Sequence, residues 1–330
     1  MSDTVLPDWS KLDSAAALAG NPLAGRDLLR LLDLSPQELH LVLSTAVAQK
    51  AAWAQGVVTA PYAGKAVGII LEKPSMRTRV SFEVAASRLG AHAVVMSDSN
   101  SAFSRGETVK DTTQVLERFV DTIIIRTFAQ SKLEEVAHWA RIPVINALTD
   151  SFHPCQGLAD LLTIAEHKGD LSTLKLAYVG DGNNMAHTYL EGGALTGMHI
   201  HIATPPGFEP DETIVAECRA AAAQTGALLE VDHDFAAALA NADVVITDTW
   251  TSMGSEAEHD ERLAAFAGYQ IDAAAMAQAA AGAIFMHCLP AHRGEEVTDE
   301  VMDAPFSAIY DEAENRLHAQ KALVSLVLAQ

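Results

Sequence analysis

A chain of 330 residues is long enough for two domains of ordinary size, and 49% hydrophobic with 20% charged residues supports a normal core. Its formal charge of −21 disfavours nucleic acid and anionic membranes, which select basic patches. Three cysteines (Cys155, Cys218 and Cys288), with no cysteine-rich spacing, argue against a disulfide framework.

In chain order, the first 25 residues carry no strong pattern. The opening MSDTVLPDWSKLDSAAALAG has no basic segment before an apolar core, so no signal peptide is expected. No apolar run approaches the roughly 20 residues of a membrane span. The expected location is the cytosol.

From residue 66, short β-branched runs alternate with helix-like segments. Strands are predicted at 66–71, 92–96, 122–125 and 142–145, then at 175–179, 198–203, 228–231, 243–247 and 283–286. This rhythm predicts an α/β protein of two domains, each a parallel sheet covered by helices. A helix over 154–169, closed by Gly169, bridges the two sets. The amphipathic segment 311–330 is long enough to dock as a final helix. Sites in parallel α/β folds lie at the C-terminal ends of strands, where loops lead into helices.

The first such loop reads KPSMRTR, residues 73–79. A helix N-terminus is already positive, so Arg77 and Arg79 are unwelcome there unless an anion sits between them and the helix. With Ser75 and Thr78 they make a phosphate site. Between Lys73 and Lys110 the basic residues Lys73, Arg77, Arg79, Arg88, Arg105 and Lys110 outnumber Glu83, Asp98 and Glu107. Arg88 and Lys110 read as salt-bridged surface.

FHPCQG (152–157) places His153 and Gln156 on one face of a first helical turn, with Pro154 at the first helical position. Together they could polarise a carbonyl and accept from an NH2 group. YVGDGNNMAHT (178–188) is a glycine-rich turn in which Met185 stands where a dinucleotide fingerprint needs a third glycine. Asn183 and Asn184 suit a polar small molecule instead. DTWTSMGSE (248–256) puts Asp248 at a strand end, where it could pair with an amine. MHCLPAHRGEEV (286–297) crowds His287, Cys288, His292 and Arg293 into one loop, without zinc-site spacing. Arg126 follows a strand and Arg316 lies in the last helix; taken singly, each reads as a salt-bridge partner.

As an ordered set, SMRTR, HPCQ, GDGNN, DTWTSMG, HCLPAHRGEEV and ENRLHAQKA resemble the carbamoyltransferases, and within them the ornithine-specific branch. The resemblance runs from about residue 65 to the C-terminus. It implies a carbamoyl phosphate-binding domain over 1–150, an ornithine-binding domain over 151–310, and a helix over about 311–330 that docks back on the first. It implies that Ser75, Arg77, Thr78 and Arg126 hold the phosphate, with the Met76 backbone N–H beside them. Thr78, Arg126 and His153 would donate to the carbamoyl oxygen. Gln156 and the backbone near Leu289 would accept from the carbamoyl NH2, and Arg316 would close on the same substrate. Asn184, Asp248, Ser252 and Met253 match ornithine-binding positions, and Cys288 lies beside the reacting amine. The implied catalytic set is Arg77, Arg126, His153, Asp248 and Cys288. The implied assembly is a homotrimer or a multiple of trimers.

Two departures stand out. Met76 replaces the first threonine of the commoner Ser-Thr-Arg-Thr-Arg. Ala102 falls where relatives often carry a Gln or His that reaches a neighbouring subunit's site; Ser101 or Ser104 would have to substitute.

The implied reaction is attack of the ornithine δ-nitrogen on the carbamoyl carbon, with loss of phosphate and no metal or redox cofactor. An alkylammonium of pKa about 10.4 costs roughly 4–5 kcal/mol to hold neutral at pH 7. A carboxylate beside it would worsen that cost, so Asp248 suits the α-amino group. Cys288 and the departing phosphate both remain candidates for receiving the proton. SMG would close as a lid, with Gly254 as its hinge. Competing readings are transfer to another amine (putrescine, lysine, an acylated ornithine or aspartate), a non-catalytic regulatory paralogue, and, more weakly, a nicotinamide-dependent oxidoreductase.

Overall fold

The β-branched runs become the strands of two parallel sheets. The computed structural model describes residues 20–97, 106–251 and 256–329. In chain order the elements are α1 (Pro36–Ala54), β1 (Ala66–Leu71), α2 (Met76–Leu89), β2 (His92–Ser97), α3 (Val109–Leu116), β3 (Thr122–Arg126), α4 (Gln130–Trp139), β4 (Val144–Leu148) and α5 (Pro154–Lys168). After these come β5 (Lys175–Val179), α6 (Asn184–Thr196), β6 (His199–Ala203), α7 (Glu212–Ala222), β7 (Leu229–Asp232), α8 (Phe235–Leu239) and β8 (Val244–Thr247). The chain ends with α9 (His259–Ala265), α10 (Ala273–Met276), β9 (Ile284–Met286), α11 (Asp299–Met302) and α12 (Ile309–Leu328).

The first sheet has the order β2-β1-β3-β4 and the second β7-β6-β5-β8-β9, with every pairing parallel. Each order reverses once, between β1 and β3 and between β5 and β8. A crevice opens at such a switch point, because the loops on either side leave in opposite directions. The ends of β1 and β3, with the loops and helix starts that follow, carry Ser75, Arg77 and Arg126, whereas those of β5 and β8 carry Asn183, Asn184 and Asp248.

The central strands are fully buried, as in Ile123, Ile124 and Ile125 of β3 and Val244, Val245 and Ile246 of β8, whereas the edge strands β2 and β7 are mostly half-exposed. Two-sided burial explains why these runs are continuous rather than alternating. Helix α12 packs across α5, α2 and α1. Its end is tied to the N-terminal segment through Gly25 N–H to Val327 O at 3.0 Å.

Beyond shifts of one or two residues at element ends, such as α12 over Ile309–Leu328 rather than 311–330, two differences from the sequence reading have a clear cause. β4 starts at Val144 rather than 142, since Pro143 has no N–H for the ladder. Helix α1 was not anticipated, because its alanine-rich run lacks a clean apolar stripe. Its signal was a capping box: Glu38 N–H donates to Ser35 Oγ at 3.2 Å and Ser35 N–H to Glu38 Oε2 at 2.8 Å.

The glycine-rich turn is a packing device. A Cβ on Gly182 would lie 2.2 Å from Pro210 N and 2.3 Å from the Glu209 carbonyl carbon, both backbone atoms that cannot swing aside. Gly182→Ala is therefore expected to cost about 1–3 kcal/mol in urea unfolding. An unchanged midpoint would show that the 205–210 loop yields freely.

Candidate active site

The two switch points face one cleft of about 620 Å³, lined from the first half by Ser75, Arg77, Arg126, His153 and Gln156 and from the second by Asn183, Asn184, Asp248, Cys288 and Leu289. Arg316 enters from α12.

Ser75 is the N-cap of α2, its hydroxyl accepting from Thr78 N–H at 3.3 Å. Met76 turns its side chain outward, 73% exposed, so only its backbone serves the cleft. Arg77 reaches across and donates to the Leu289 carbonyl. Arg79 does not join it. It turns outward and pairs with Glu83 at 3.1 Å, the i,i+4 surface contact that helix geometry offers. The cleft is thus lined by one arginine of the motif, with Arg126 and Arg316 as its other guanidiniums.

Arg126 ends β3 beside Leu71 of β1 and is 9% exposed. Burial, then the charges of Arg316 and Arg77, pull its pKa down to about 10. Its Nε is buried without a partner, as is His153 Nδ1. Burial and the same cluster of arginines hold His153 well below the ordinary imidazole value, so the ring is neutral at pH 7. A neutral imidazole beside three guanidiniums is a hydrogen-bond donor and a poor base. His153 caps α5 with Pro154 at N1, and its N–H donates to Thr188 Oγ1 of α6 at 3.0 Å.

Arg316 is 3% exposed and donates to Gln156 Oε1 at 2.6 Å and to Thr78 Oγ1 at 3.4 Å. With the Gln320 amide in the orientation that satisfies both its ends, its oxygen accepts from Arg316 Nη2 and Nε at 2.9 and 3.1 Å. Thr78 is buried behind the cleft surface. The other end of Gln156 donates to Asp160 Oδ1 at 2.7 Å and to Glu312 Oε1 at 3.0 Å. Both carboxyls are fully buried. Tyr189 OH donates to Asp160 Oδ2 at 3.0 Å, and His287 N–H to Glu312 Oε2 at 2.8 Å. Burial raises Asp160 to about 6 and, with Asp160 beside it, Glu312 well above its ordinary value. Two carboxyls this close keep a proton between them. Sequence reasoning missed this pair. Helical spacing ties each carboxyl to a cleft residue, Asp160 four after Gln156 and Glu312 four before Arg316, but does not show that the two helices meet.

On the opposite wall, Asn183 caps α6, its Oδ1 accepting from Met185 N–H at 2.8 Å, and donates to Asp248 Oδ2 at 2.9 Å. Asp248 Oδ1 accepts from Thr249 N–H at 2.8 Å and from the Cys288 thiol at 3.2 Å. Burial, then Asp248, pushes the Cys288 thiol well up. Asn184 donates to the Thr149 carbonyl at 2.7 Å. Leu289 has φ +58°, its N–H donating to His287 Nδ1 at 2.9 Å. His287 Nε2 meets Glu296 Oε1 at 3.1 Å, so both of its ring nitrogens are engaged and neither is free for a metal. Ser252, Met253 and Gly254, like Ser101, Ala102 and Ser104, lie outside the described residues.

Family models for the aspartate/ornithine carbamoyltransferases match nearly the whole chain: the carbamoyl-P binding domain over residues 26–166 and the Asp/Orn binding domain over 172–327. The chain belongs to this carbamoyltransferase family. It is 53% identical over 307 residues to ornithine carbamoyltransferase of Symbiobacterium thermophilum, covering 93% of this chain and 99% of that one. It is 54% identical over 302 residues to that of Gloeobacter violaceus, covering 92% and 95%. The solved ornithine carbamoyltransferase of Pyrococcus furiosus superposes with a TM-score of 0.90 at 47% identity, covering 93% of this chain and 98% of that one. Among the described residues no helix is long and apolar enough to cross a membrane.

The Asp160–Glu312 proton has a pH consequence. Both carboxyls are held above their unfolded values, so the folded chain keeps a proton that the unfolded chain has released. The stability this contributes is complete below about pH 4 and is lost as pH rises through about 6. Urea midpoints measured from about pH 5 to about pH 8 should fall with rising pH, and fall less in an Asp160→Asn, Glu312→Gln variant. Identical slopes would place the proton elsewhere.

Proposed function

We propose that the protein transfers the carbamoyl group from carbamoyl phosphate to the δ-amino group of L-ornithine, giving L-citrulline and phosphate, in arginine biosynthesis or, in reverse, arginine breakdown. The observation that carries this reading is the two-sided cleft. One wall gathers Arg77, Arg126 and Arg316 with neutral His153, and the other presents the Asp248 carboxylate.

Residues 1–150 together with α12 form the carbamoyl phosphate side, and 151–310 the ornithine side. Ser75, the Met76 N–H, Arg77, Thr78 and Arg126 take the phosphate. Arg126, Thr78 and His153 donate to the carbamoyl oxygen as it gains charge. Gln156 and the Leu289 carbonyl receive the carbamoyl NH2, which requires Arg77 to leave Leu289 for the phosphate. Asn184, Asp248, Ser252 and Met253 hold ornithine, with Asp248 on the charged α-amino group. The Cys288 thiol is protonated and already donates to Asp248, so the amine proton goes to the departing phosphate dianion. Cys288 then orients Asp248. No metal or redox group is needed for this chemistry.

A homotrimer, or a multiple of trimers, in the cytoplasm fits this reading. Met76 and Val80, four apart on α2, are 73% and 49% exposed and offer an apolar stripe for a neighbouring subunit.

Ureido-product formation from carbamoyl phosphate tests the reading, with ornithine compared against putrescine, lysine, acetylornithine and aspartate. Turnover with ornithine alone is expected; preference for another amine would overturn the acceptor assignment. Arg126→Ala should lower kcat about 100-fold or more. Cys288→Ala should raise KM for ornithine about tenfold with a smaller change in kcat, and Cys288→Ser should restore most of it. A kcat collapse in Cys288→Ser would return the proton-acceptor role to sulfur.

A further inference from the structure

The edge of the second sheet carries a cluster that carbamoyl transfer does not use. His199 and His201 stand two apart on β6, so their imidazoles share one face, with ring centroids 6.3 Å apart and planes inclined by 20°. On β7, the edge strand, Glu230 lies in register with His201 and Asp232 with Ala203, which brings both carboxylates up on the same face. His199 Nε2 is 2.6 Å from Glu230 Oε2, and His201 Nδ1 is 3.7 Å from the same oxygen. His201 Nε2 lies 3.0 Å from Asp232 Oδ2. Lys175, beside His199 in register, donates to the carbonyls of Ala237 and Ala240 at 2.9 Å each, so its ammonium is tied to the end of α8.

We propose that His199, His201 and Glu230 form a divalent-metal site for Zn²⁺ or a similar late first-row ion. One donor atom from each of the three lies within 4.8 Å of the others. Two imidazoles and a carboxylate suit such an ion, with water completing a tetrahedral shell. Metal bonds of about 2.0–2.2 Å place ligand atoms roughly 3–3.5 Å apart. His201 Nδ1 is already near that separation from Glu230, and His199 needs only a small side-chain rotation. Asp232 accepts from His201 Nε2–H, which leaves the Nδ1 lone pair aimed at the metal. This is the outer carboxylate that metal-binding histidines commonly use to fix their tautomer. His201 is 4% exposed while Glu230 stays partly open, so the site is anchored on one side and accessible on the other. Bound metal would staple the edge strand to the sheet, well apart from the catalytic cleft in the chain's own topology.

The test is titration of metal-free full-length protein with CoCl2, followed by visible absorption, and with ZnCl2, followed by calorimetry. One equivalent is expected, with cobalt d–d bands, no thiolate-to-cobalt charge transfer, displacement by zinc, and a rise in thermal midpoint. His199→Gln and Glu230→Gln, both at part-exposed positions, should each weaken binding by about tenfold or more while ureido-product formation is unchanged. Three outcomes overturn the proposal: equal affinity in both variants, a first equivalent bearing the thiolate band, which puts the metal at Cys288, or no binding at millimolar metal, which leaves the cluster as histidine–carboxylate ion pairs.

Discussion

Mutual repulsion among three guanidiniums is the constraint on which the site depends. Arg77, Arg126 and Arg316 converge on one cleft, and among the described residues the hydrogen bonds of Arg77 and Arg316 go to neutral oxygens of Leu289, Gln156, Thr78 and Gln320. A carboxylate in that position would settle the charges at rest and compete with any phosphate. The chain moves its negative charge one layer back instead. Asp160 and Glu312 share a proton behind Gln156, so together they offer about one charge, and the amide relays it to Arg316 through a neutral bond. The cations remain fixed in place and still attractive to an anion.

The same field sets the chemistry of the neighbours. Burial first, and then this field, keep the His153 imidazole neutral, so the residue can donate to a developing oxyanion but has little tendency to take a proton. Across the cleft burial, and then Asp248, hold the Cys288 thiol protonated. A single cavity therefore has a positive wall suited to a phosphorylated anion and a negative pole suited to an ammonium. The separation comes from topology, because each sheet offers one switch point and the two face each other.

Much of this was legible in the sequence. All nine strands were found, since two-sided burial makes the central ones continuous apolar runs and β-branched residues mark the edges, and the loops and helix starts after them held most of the site. Helix α1 was missed because alanine-rich helices buried on several sides lose the periodic stripe. Arg79 was misjudged because spacing alone cannot tell which arginine of Arg77-Thr78-Arg79 turns inward; the helix sends them to different faces, and Glu83 captures the outer one. Asp160 and Glu312 went unseen because nothing in one helix announces that a second helix will lay a carboxyl against its own. The histidines of HIHIA read as strand, and only the register with β7 brings Glu230 beside them.

The most direct test of the arginine field is NMR titration of His153 in ring-labelled protein, assigned by comparison with His153→Gln among the chain's 13 histidines. The account requires a ring that stays neutral well below the ordinary pKa of about 6.5, with a value that rises when inorganic phosphate is added. Titration at the ordinary value, unmoved by phosphate, would mean that the three arginines do not act together on this cleft.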